Sequence, residues 1–386
     1  MGRLHFLYLI CNAIPQRFKS IRLLAVLKMK TKRFSSLIHP SKISLLFWFC
    51  LVTVLGRAQD KLFDSRDVLT VQLSGKLNDL LKDRGDVVHY HFMTLSYTVH
   101  DSVVSTPVKV KTRGHFRKSR ANCTYPPLLL NFSKERIPKN SLFRGQDKLK
   151  LVTPCQGDKF VVREYLVYQL HNLITPKSFK ARLVKVVYTD SLKGKKSDPL
   201  YGILLEDEDE MAKRNSSIVV ERKLVKPERT QPQDFLTMAV FEYLIGNTDW
   251  SVQYLQNVKL LAKDSTGIAS TVAYDFDHAG IVGAPYAKPA DELLMESTRF
   301  RRYRGYCVTD MTKFSDVFAL FNKLKKEIYD VYANPLLEPG YVKSTTQFLD
   351  EFYETINNPK KAKVEFGYPC DRNGTGNVVI MGLDKN

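Results

Sequence analysis

The stretch from Glu242 to Gly280 constrains the fold most strongly, because it joins an apolar helix to a hairpin that carries acidic residues. Residues 232–245 are apolar on nearly every face, which predicts a helix buried on all sides. The pair Gly246-Asn247 follows and is typical of a left-handed helix end. Asp249 lies in the loop beyond. A loop residue held between two rigid elements is well placed to act as a catalytic base, so Asp249 is the candidate.

Two short strands are predicted after this loop, over residues 257–261 and 269–276. An antiparallel hairpin places the start of its first strand beside the end of its second. We therefore expect Asn257 and Asp275 at the same end of the hairpin, with Asp277 as a competing carboxylate. Amide and carboxylate oxygens are ligands that suit Mg²⁺ or Mn²⁺ bound to phosphates. The stretch thus predicts a site for metal and phosphate.

The formal net charge of +19 is concentrated at the start of the chain. Residues 1–58 carry ten Lys or Arg and no acid, and the rest carries 49 basic and 40 acidic residues, a net charge of +9. That balance favours anionic ligands. The body of the chain has no long basic run interleaved with aromatics, so we do not expect it to bind nucleic acid. Residues 43–55 form a 13-residue apolar run that ends shortly before small residues at 56 and 58. We interpret 1–58 as an upstream extension plus a signal peptide, with a signal anchor as the alternative.

An exported protein is therefore expected, in a periplasmic, extracellular or secretory-lumen compartment, without a stable membrane span once the signal is removed. Four cysteines lie outside residues 1–58, and oxidising compartments favour disulfides. Four cysteines allow three pairings. The two local pairs, Cys123–Cys155 and Cys307–Cys370, are favoured, and buried free thiols are the alternative.

The remaining chain separates into a β-rich part, residues 59–230, and a mostly helical part, residues 231–386. Alternating or β-branched segments predict strands in the first part, and an amphipathic pattern predicts a helix over 159–174. In the second part, amphipathic patterns predict helices over 314–332 and after Ser344. The charged, proline-ending segment 213–231 separates the two parts.

Three charged segments are candidate binding elements. The loop 113–120 offers Arg113 and Arg117 after a strand, for phosphate contacts or as a solvated loop. Five acids follow one another at 206–210, where Glu206 at a strand end is the candidate ligand and the others suit a helix start. The segment 299–306, RFRRYRGY, fits either an acidic substrate segment or phosphate, or a solvated surface.

Several motifs in order carry a resemblance. They are VKVKTRG at 108–114, LKLVTPCQGDKFVVREYLVYQL at 149–170, YGILLEDEDE at 201–210, GNTD at 246–249 and YDFDHAG at 274–280. The order of Asp249, Asn257 and the segment 275–277 resembles the catalytic loop and metal-binding segment of protein kinases. The four motifs other than GNTD together resemble the CotH-like family of atypical, secreted protein kinases over about residues 105–280, and GNTD resembles the Gly-Asn-x-Asp of animal secretory-pathway kinases.

This resemblance implies an α+β, bilobal protein-kinase-like fold with a β-rich first lobe and a mostly helical second lobe. It implies ATP with Mg²⁺ or Mn²⁺ as cofactors and transfer of phosphate to an exposed Ser or Thr of an exported or surface protein. Asp249 would orient or deprotonate that hydroxyl. The nucleotide and metal would face these side chains: Arg113, Arg117, Lys134 or Lys150, Glu206, Asn257, Asp275 and Asp277. The alternatives are a pseudokinase-like binding module of the cell envelope and a calcium-stabilised structural protein.

Overall fold

Seven strands between residues 69 and 205 alternate inward-facing apolar residues with outward-facing residues. The clearest case is the third strand, where Val104, Val108 and Val110 are buried and the residues between them, such as Val103 and Lys109, are exposed. The strands are β1 (Leu69–Gly75), β2 (His91–Val99), β3 (Ser102–Thr112), β4 (Leu128–Phe132), β5 (Lys148–Val152), β6 (Ala181–Asp190) and β7 (Leu200–Leu205).

The computed structural model describes residues 62–99, 101–133 and 135–374, all within a compact unit that begins at Gln59. In this unit the seven strands close into a barrel in the order β1-β2-β3-β4-β5-β7-β6. Neighbouring strands are antiparallel except at the closure, where β1 runs parallel to β6. The predicted leader, Lys134 and a strand that the sequence suggests at Asn377–Met381 lie outside the described residues.

The barrel interior is filled with aliphatic and aromatic side chains. Leu73, Val110, Leu128, Leu130 and Leu149 are fully buried there. A barrel of this size has an interior that side chains fill, so it is a packed core and no channel. The barrel therefore acts as a rigid platform for the loops at its ends.

Strands β6 and β7 bury both of their faces. Val184 and Leu204 point into the barrel core, whereas Leu183, Ile203 and Leu205 belong to a second hydrophobic core outside it. The outer face of a strand pair is covered in this way only when another element packs on it. Here that element is the long helix formed by residues 158–174.

The second core contains the helices and a three-stranded sheet. Its helix at residues 232–245 buries nearly every residue from Phe235 onward, as the sequence predicts. The helices of the unit are α1 (Leu77–Lys82), α2 (Asp158–Ile174), α3 (Glu208–Arg214), α4 (Pro232–Ile245), α5 (Ser315–Lys323), α6 (Lys325–Tyr332), α7 (Pro339–Asn357) and α8 (Pro359–Gly367). Short 3₁₀ turns lie at Phe116–Lys118, Pro227–Arg229, Asp291–Leu293, Met311–Phe314 and Tyr368–Cys370. The small sheet has the order β10-β9-β8, with β8 (Ile218–Val219), β9 (Val258–Ala262) and β10 (Ser270–Ala273).

Helix α4 ends at Gly246, which has φ +67° and is left-handed, as predicted. A Cβ at this position would lie 2.9 Å from the Phe348 ring and 3.1 Å from the Thr298 carbonyl oxygen. Both conformation and space therefore require glycine here. This tight end turns the chain directly into the loop that carries Asp249.

The predicted bilobal, protein-kinase-like fold is wrong. The strands of the β-rich part form a closed seven-stranded barrel, in which β1 pairs in parallel with β6 more than one hundred residues later. Local sequence patterns identify strands, but they carry no information on such a distant pairing. The unit contains both helices and strands, and most of its helices come after the barrel strands in the sequence.

Two smaller predictions about helices also differ from the structure. The amphipathic segment 314–332 forms two helices, α5 and α6, with a break at Leu324. Ser344 does not begin a helix, because α7 already begins at Pro339. Proline is well suited to the first turn of a helix, where its missing N–H has no partner to lose.

Both local disulfides are present, Cys123–Cys155 and Cys307–Cys370, with Cα–Cα distances of 4.8 and 4.5 Å. Each closes a long loop, and the chain-entropy account assigns such bridges about 4 kcal/mol of stabilisation. Two disulfides are compatible with an exported protein. Across residues 62–374, apart from the undescribed 100 and 134, we find no helix with the length and apolar character needed to cross a membrane.

The burial of one histidine, His171, makes the stability of the unit depend on pH. His171 in α2 is 2% exposed, its ring stacks on Phe241 at 4.5 Å, and burial lowers its pKa to about 3. An unfolded histidine has a pKa of about 6.5, so below that pH only the unfolded chain gains the proton. The folded state should therefore lose about 1.4 kcal/mol per pH unit as pH falls from about 6 toward 4.

We expect His171→Phe to remove this contribution, so that its free energy of unfolding falls less steeply than wild type between pH 6 and 4. Urea titrations at several pH values measure the slopes. The comparison variant is His89→Gln, which replaces a histidine whose side chain is 77% exposed and lies 3.7 Å from Asp83. Parallel curves for wild type and His171→Phe would contradict the prediction.

Candidate active site

A cleft of about 360 Å³ lies between the loop that follows β3 and the end of the β9–β10 hairpin. Antiparallel pairing of Val258 with Ala273 brings the residues on either side of the pair to one end of the hairpin. Asn257 and Asp275 accordingly lie together, as predicted. The polar residues that line the cleft are Arg113, His115, Arg117, Asp249, Tyr254, Gln256, Asn257, Tyr274, Asp275, Asp277 and His278.

The carboxylate of Asp249 is held by two amides from the other side of its loop. Gln256 Nε2 donates to Oδ1 at 2.5 Å, and Asn257 Nδ2 donates to Oδ2 at 3.1 Å and to the Asp249 carbonyl at 2.7 Å. The backbone N–H of Asp249 donates to Asn247 Oδ1 at 3.1 Å. Asp249 is thus fixed through its backbone and through both carboxylate oxygens.

Burial raises the pKa of Asp249. His278 lowers this pKa, and the nearby carboxylates of Asp277 and Asp275 raise it again. A carboxylate with a raised pKa is a better proton acceptor than an ordinary aspartate. The position and environment of Asp249 therefore suit a general base.

One guanidinium connects three carboxylates at the other side of the cleft. Arg117 Nη2 lies 2.9 Å from Asp275 Oδ1, its Nε lies 3.2 Å from Asp277 Oδ2, and its Nη1 lies 3.3 Å from Glu164 Oε2. Arg117 is 9% exposed and Glu164 is 1% exposed. Since three carboxylates share one cation, the cluster has an excess of negative charge.

Burial and this excess of negative charge both act on the pKa of Glu164. Burial raises the pKa of Glu164, and the attraction of Arg117 offsets this only in part, while Asp277 and Asp275 raise the pKa further. The Tyr286 hydroxyl donates to Asp277 Oδ2 at 3.1 Å. This hydrogen bond stabilises the cluster, and a further positive charge nearby would stabilise its carboxylates more.

The backbone of the cleft is strained at three positions of its wall. Leu255, Asn257 and Asp275 have φ values of +54°, +51° and +64°, a region that non-glycine residues seldom adopt. At Asp275 the backbone N–H donates to the Tyr168 hydroxyl at 3.0 Å, and this contact helps to hold the conformation. Such strain persists where the surroundings impose it and is concentrated at functional sites.

Two of the predicted basic residues occupy different positions. The Arg113 side chain lines the cleft and makes no hydrogen bond or ion pair with any residue in the described part of the chain. Lys150 lies beside the cleft: its Nζ is 3.7 Å from Glu208 and 5.3 Å from the centre of the Tyr274 ring. Burial and the nearby Arg113 lower the pKa of Lys150. Arg113 is therefore the cation most open to an anionic ligand.

Glu206 does not join the cleft. Its carboxylate pairs with Arg214 at 2.9 Å and accepts the backbone N–H of Lys180 at 2.9 Å. The next acids of the run begin helix α3, where Asp207 caps the first turn and Glu208 pairs with Lys259 at 2.8 Å. The run is thus satisfied by basic residues and backbone groups and has no shared ligand position.

The donor set of the cleft fits a magnesium-type ion bound together with phosphate. Asp275 and Asp277 provide carboxylates, and the Asn257 amide oxygen accepts no hydrogen bond from the residues that the structure describes. Within those residues no three His, Cys, Asp or Glu side chains lie close enough to ligate one ion. Mg²⁺ characteristically takes one or two carboxylates and completes its shell with phosphate oxygens and water. The excess of carboxylates over Arg117 provides the charge for it.

Sequence reasoning missed several residues of the site, among them Glu164, Gln256 and Tyr286. Glu164 lies on an apolar helix, and an acid at a buried helical position is a signal that a partner must be nearby. Gln256 precedes the predicted strand, where an amide carries no distinctive pattern. Tyr286 lies in the glycine- and proline-rich loop after the acids, and its contact with Asp277 has no counterpart in local sequence.

Neither a scan against models of protein families nor a search of curated proteins finds a match for this chain. The resemblance to CotH-like kinases therefore stays a prediction.

The charge cluster predicts a strong and specific effect of removing Arg117. Arg117→Met leaves two buried carboxylates, Glu164 and Asp277, and the partly exposed Asp275 without their cation, and breaking a buried ion pair typically costs about 3–5 kcal/mol of unfolding free energy. The loss should be larger at pH 8 than at pH 5, because the pKa of Glu164 is raised and its protonation at the lower pH relieves the repulsion among the carboxylates. Urea denaturation at both pH values measures it.

Arg113→Met is the matched control, since it removes a cation from the same loop that has no partner in the described chain. Its effect should stay within about 0.5 kcal/mol, as for most substitutions away from buried networks. Equal losses for the two variants would show that the ion pairs of Arg117 contribute nothing specific.

Proposed function

We propose that this protein is a metal- and nucleotide-dependent phosphotransferase that acts on Ser or Thr hydroxyls of an exported or surface protein. One observation carries the proposal. A single cleft is lined by a fixed and partly buried carboxylate, Asp249, by the oxygen donors Asn257, Asp275 and Asp277, and by Arg113, a cation without an acidic partner among the described residues. The proposal rests on this constellation and requires no kinase fold.

The residues divide the work of phosphoryl transfer among them. The acceptor hydroxyl loses its proton to Asp249 as its oxygen forms a bond to the γ-phosphorus, and the bond from that phosphorus to the bridging oxygen of ATP breaks. Asn257, Asp275 and Asp277 would hold Mg²⁺ or Mn²⁺. When bound, such an ion neutralises phosphate charge and orients the phosphoryl group.

Arg113 and Arg117 have different tasks in this proposal. Arg113 has no acidic partner among the described residues and contacts the phosphates. Arg117 holds Asp275 and Asp277 in position through its ion pairs. The resemblance of the motifs to CotH-like kinases supports the same reaction class, and the two disulfides are compatible with the exported location.

A second candidate is a binding module without chemistry. The observation that favours it is the contact of Arg117 with both Asp275 and Asp277, which satisfies these carboxylates by an internal cation. If that contact is permanent, the cleft binds anionic ligands through Arg113 and transfers nothing. Nucleotide binding and turnover must therefore be measured separately.

We expect ATP with Mg²⁺ or Mn²⁺ to raise the melting temperature of the protein, and Asp275→Ala to abolish the rise. A ligand at one hundred times its Kd contributes about 2.7 kcal/mol of stabilisation. Asp198→Ala, which removes an exposed carboxylate, is the control and should keep the full shift. Absence of a shift with every nucleotide–metal pair would contradict the enzymatic proposal, and a shift with calcium alone would indicate a structural ion.

Asp249→Asn separates catalysis from binding. The amide keeps the size of the side chain but accepts no proton, so the melting shift with Mg²⁺ and ATP should remain while phosphate transfer falls by about 10²–10⁴-fold. Transfer of labelled phosphate to exported proteins or to the chain itself measures the rate. Nucleotide binding without transfer in wild type would favour the binding module.

A further inference from the structure

The arginine-rich segment 299–306 contacts the loop that carries Asp249. Arg304 Nη1 donates to the carbonyl oxygen of Thr248 at 2.6 Å and to that of Trp250 at 2.9 Å. Its guanidinium also lies 5.7 Å from the centre of the Trp250 ring. These two carbonyls belong to the residues directly before and after Asp249. One side chain therefore clamps the carbonyl groups of the two residues that flank the candidate base.

The clamp lies in a well-packed part of the protein. Thr248 is 4% exposed and Trp250 is 3% exposed, and the Trp250 ring packs edge-on against Phe235 of helix α4 at 6.2 Å. Burial lowers the pKa of Arg304 to about 10, which leaves the guanidinium charged at neutral pH. Charged donors form the stronger hydrogen bonds to carbonyl oxygens.

The other arginines of the segment have internal partners of their own. Arg301 donates to the carbonyls of Leu244 and Phe348, and Arg302 donates to the carbonyl of Leu293 and the hydroxyl of Tyr368. The segment thus uses these side chains to join backbone segments of the second core. An acidic substrate segment would have to displace these contacts, so the substrate-binding interpretation of this sequence loses its basis.

We propose that Arg304 is a positioning residue for the proposed phosphoryl transfer. By clamping the carbonyls of Thr248 and Trp250, Arg304 sets the direction of the Asp249 carboxylate. The hydrogen bonds from Gln256 and Asn257 hold the carboxylate, and the clamp holds the backbone beneath it. Arg304 touches neither substrate nor nucleotide in this role. The expected loss of kcat rests on the proposed function, whereas the hydrogen bonds of Arg304 to the loop do not depend on it.

Tryptophan fluorescence tests the clamp independently of activity. The chain has two tryptophans, Trp48 and Trp250, so the full chain with Trp48→Phe has Trp250 as its sole fluorophore. In this background we compare Arg304→Met, Arg304→Lys and Arg301→Met. The last is the matched control, because it removes a segment arginine that donates to backbone carbonyls but leaves the 248–250 loop untouched.

We expect acrylamide to quench Trp250 more strongly in Arg304→Met than in wild type, and no change in Arg301→Met. With ATP, metal and acceptor, Arg304→Met should lower kcat by about 10²-fold with little change in the KM for ATP, because misplacing a reacting group by about 1 Å has that effect. Arg304→Lys, which keeps the charge and donors, should recover part of both signals. If Arg304→Met does not fold, the lysine variant carries the comparison.

Unchanged quenching in the Arg304 variants would overturn the inference, whether or not the protein shows turnover. So would an Arg301→Met variant that loses as much kcat as Arg304→Met at equal thermal stability. Absence of turnover in wild type with normal folding rejects the proposed function instead, and the quenching comparison still decides whether Arg304 clamps the loop.

Discussion

The ion pairs of Arg117 are the interaction on which the cleft depends. Arg117 lies on the short turn after strand β3, Glu164 lies on helix α2, and Asp275 and Asp277 follow strand β10. One guanidinium therefore joins the barrel to both sides of the second core. The Cys123–Cys155 disulfide reinforces the same junction, since it ties the chain just after Arg117 to the residues before α2. The walls of the cleft are fixed by these links.

The junction is also electrostatically incomplete. Removing charges from water is costly, and one cation cannot fully compensate the buried carboxylates of Glu164 and Asp277 together with the partly exposed Asp275. The raised pKa of Glu164 expresses this imbalance. In the proposed function, a cation held by Asp275 and Asp277 would stabilise the folded protein, because it would bind the folded chain and not the unfolded one. Two of the three acids that share Arg117 are thus the ones that would hold the metal in the proposed function.

Local features of the chain were predictable, and the pairing of distant segments was not. Strand β5, helices α2 and α4 and the β9–β10 hairpin follow from periodicity and turn residues, and Gly246 from the chemistry of helix ends. The closure of the barrel depends on β1 and β6, whose parallel pairing has no local signal. A strand forms from its own side chains, but its partner is selected by the packing of the whole core.

The same distinction explains the site. Hairpin geometry places Asn257 and Asp275 together, because antiparallel pairing leaves their positions no freedom. Glu206 also follows a strand, but its carboxylate pairs with Arg214 at the end of helix α3 and therefore does not join the cleft. Position on a strand defines where a residue is, whereas the direction of its side chain depends on the charges that surround it. For that reason the structure was needed to find Glu164, the buried partner of Arg117.

The arrangement around Asp249 indicates a site that works by fixed geometry. The loop begins at a glycine that no other residue can replace without a clash, passes Asp249 held by two amides, and meets strained backbone at Leu255 and Asn257. Strain of this kind costs about 1–3 kcal/mol per residue and persists only where other contacts impose it. Phosphoryl transfer gains chiefly from positioning and charge neutralisation. In the proposed function, the fixed carboxylate of Asp249 would provide the first, and an ion bound by Asp275 and Asp277 would provide the second.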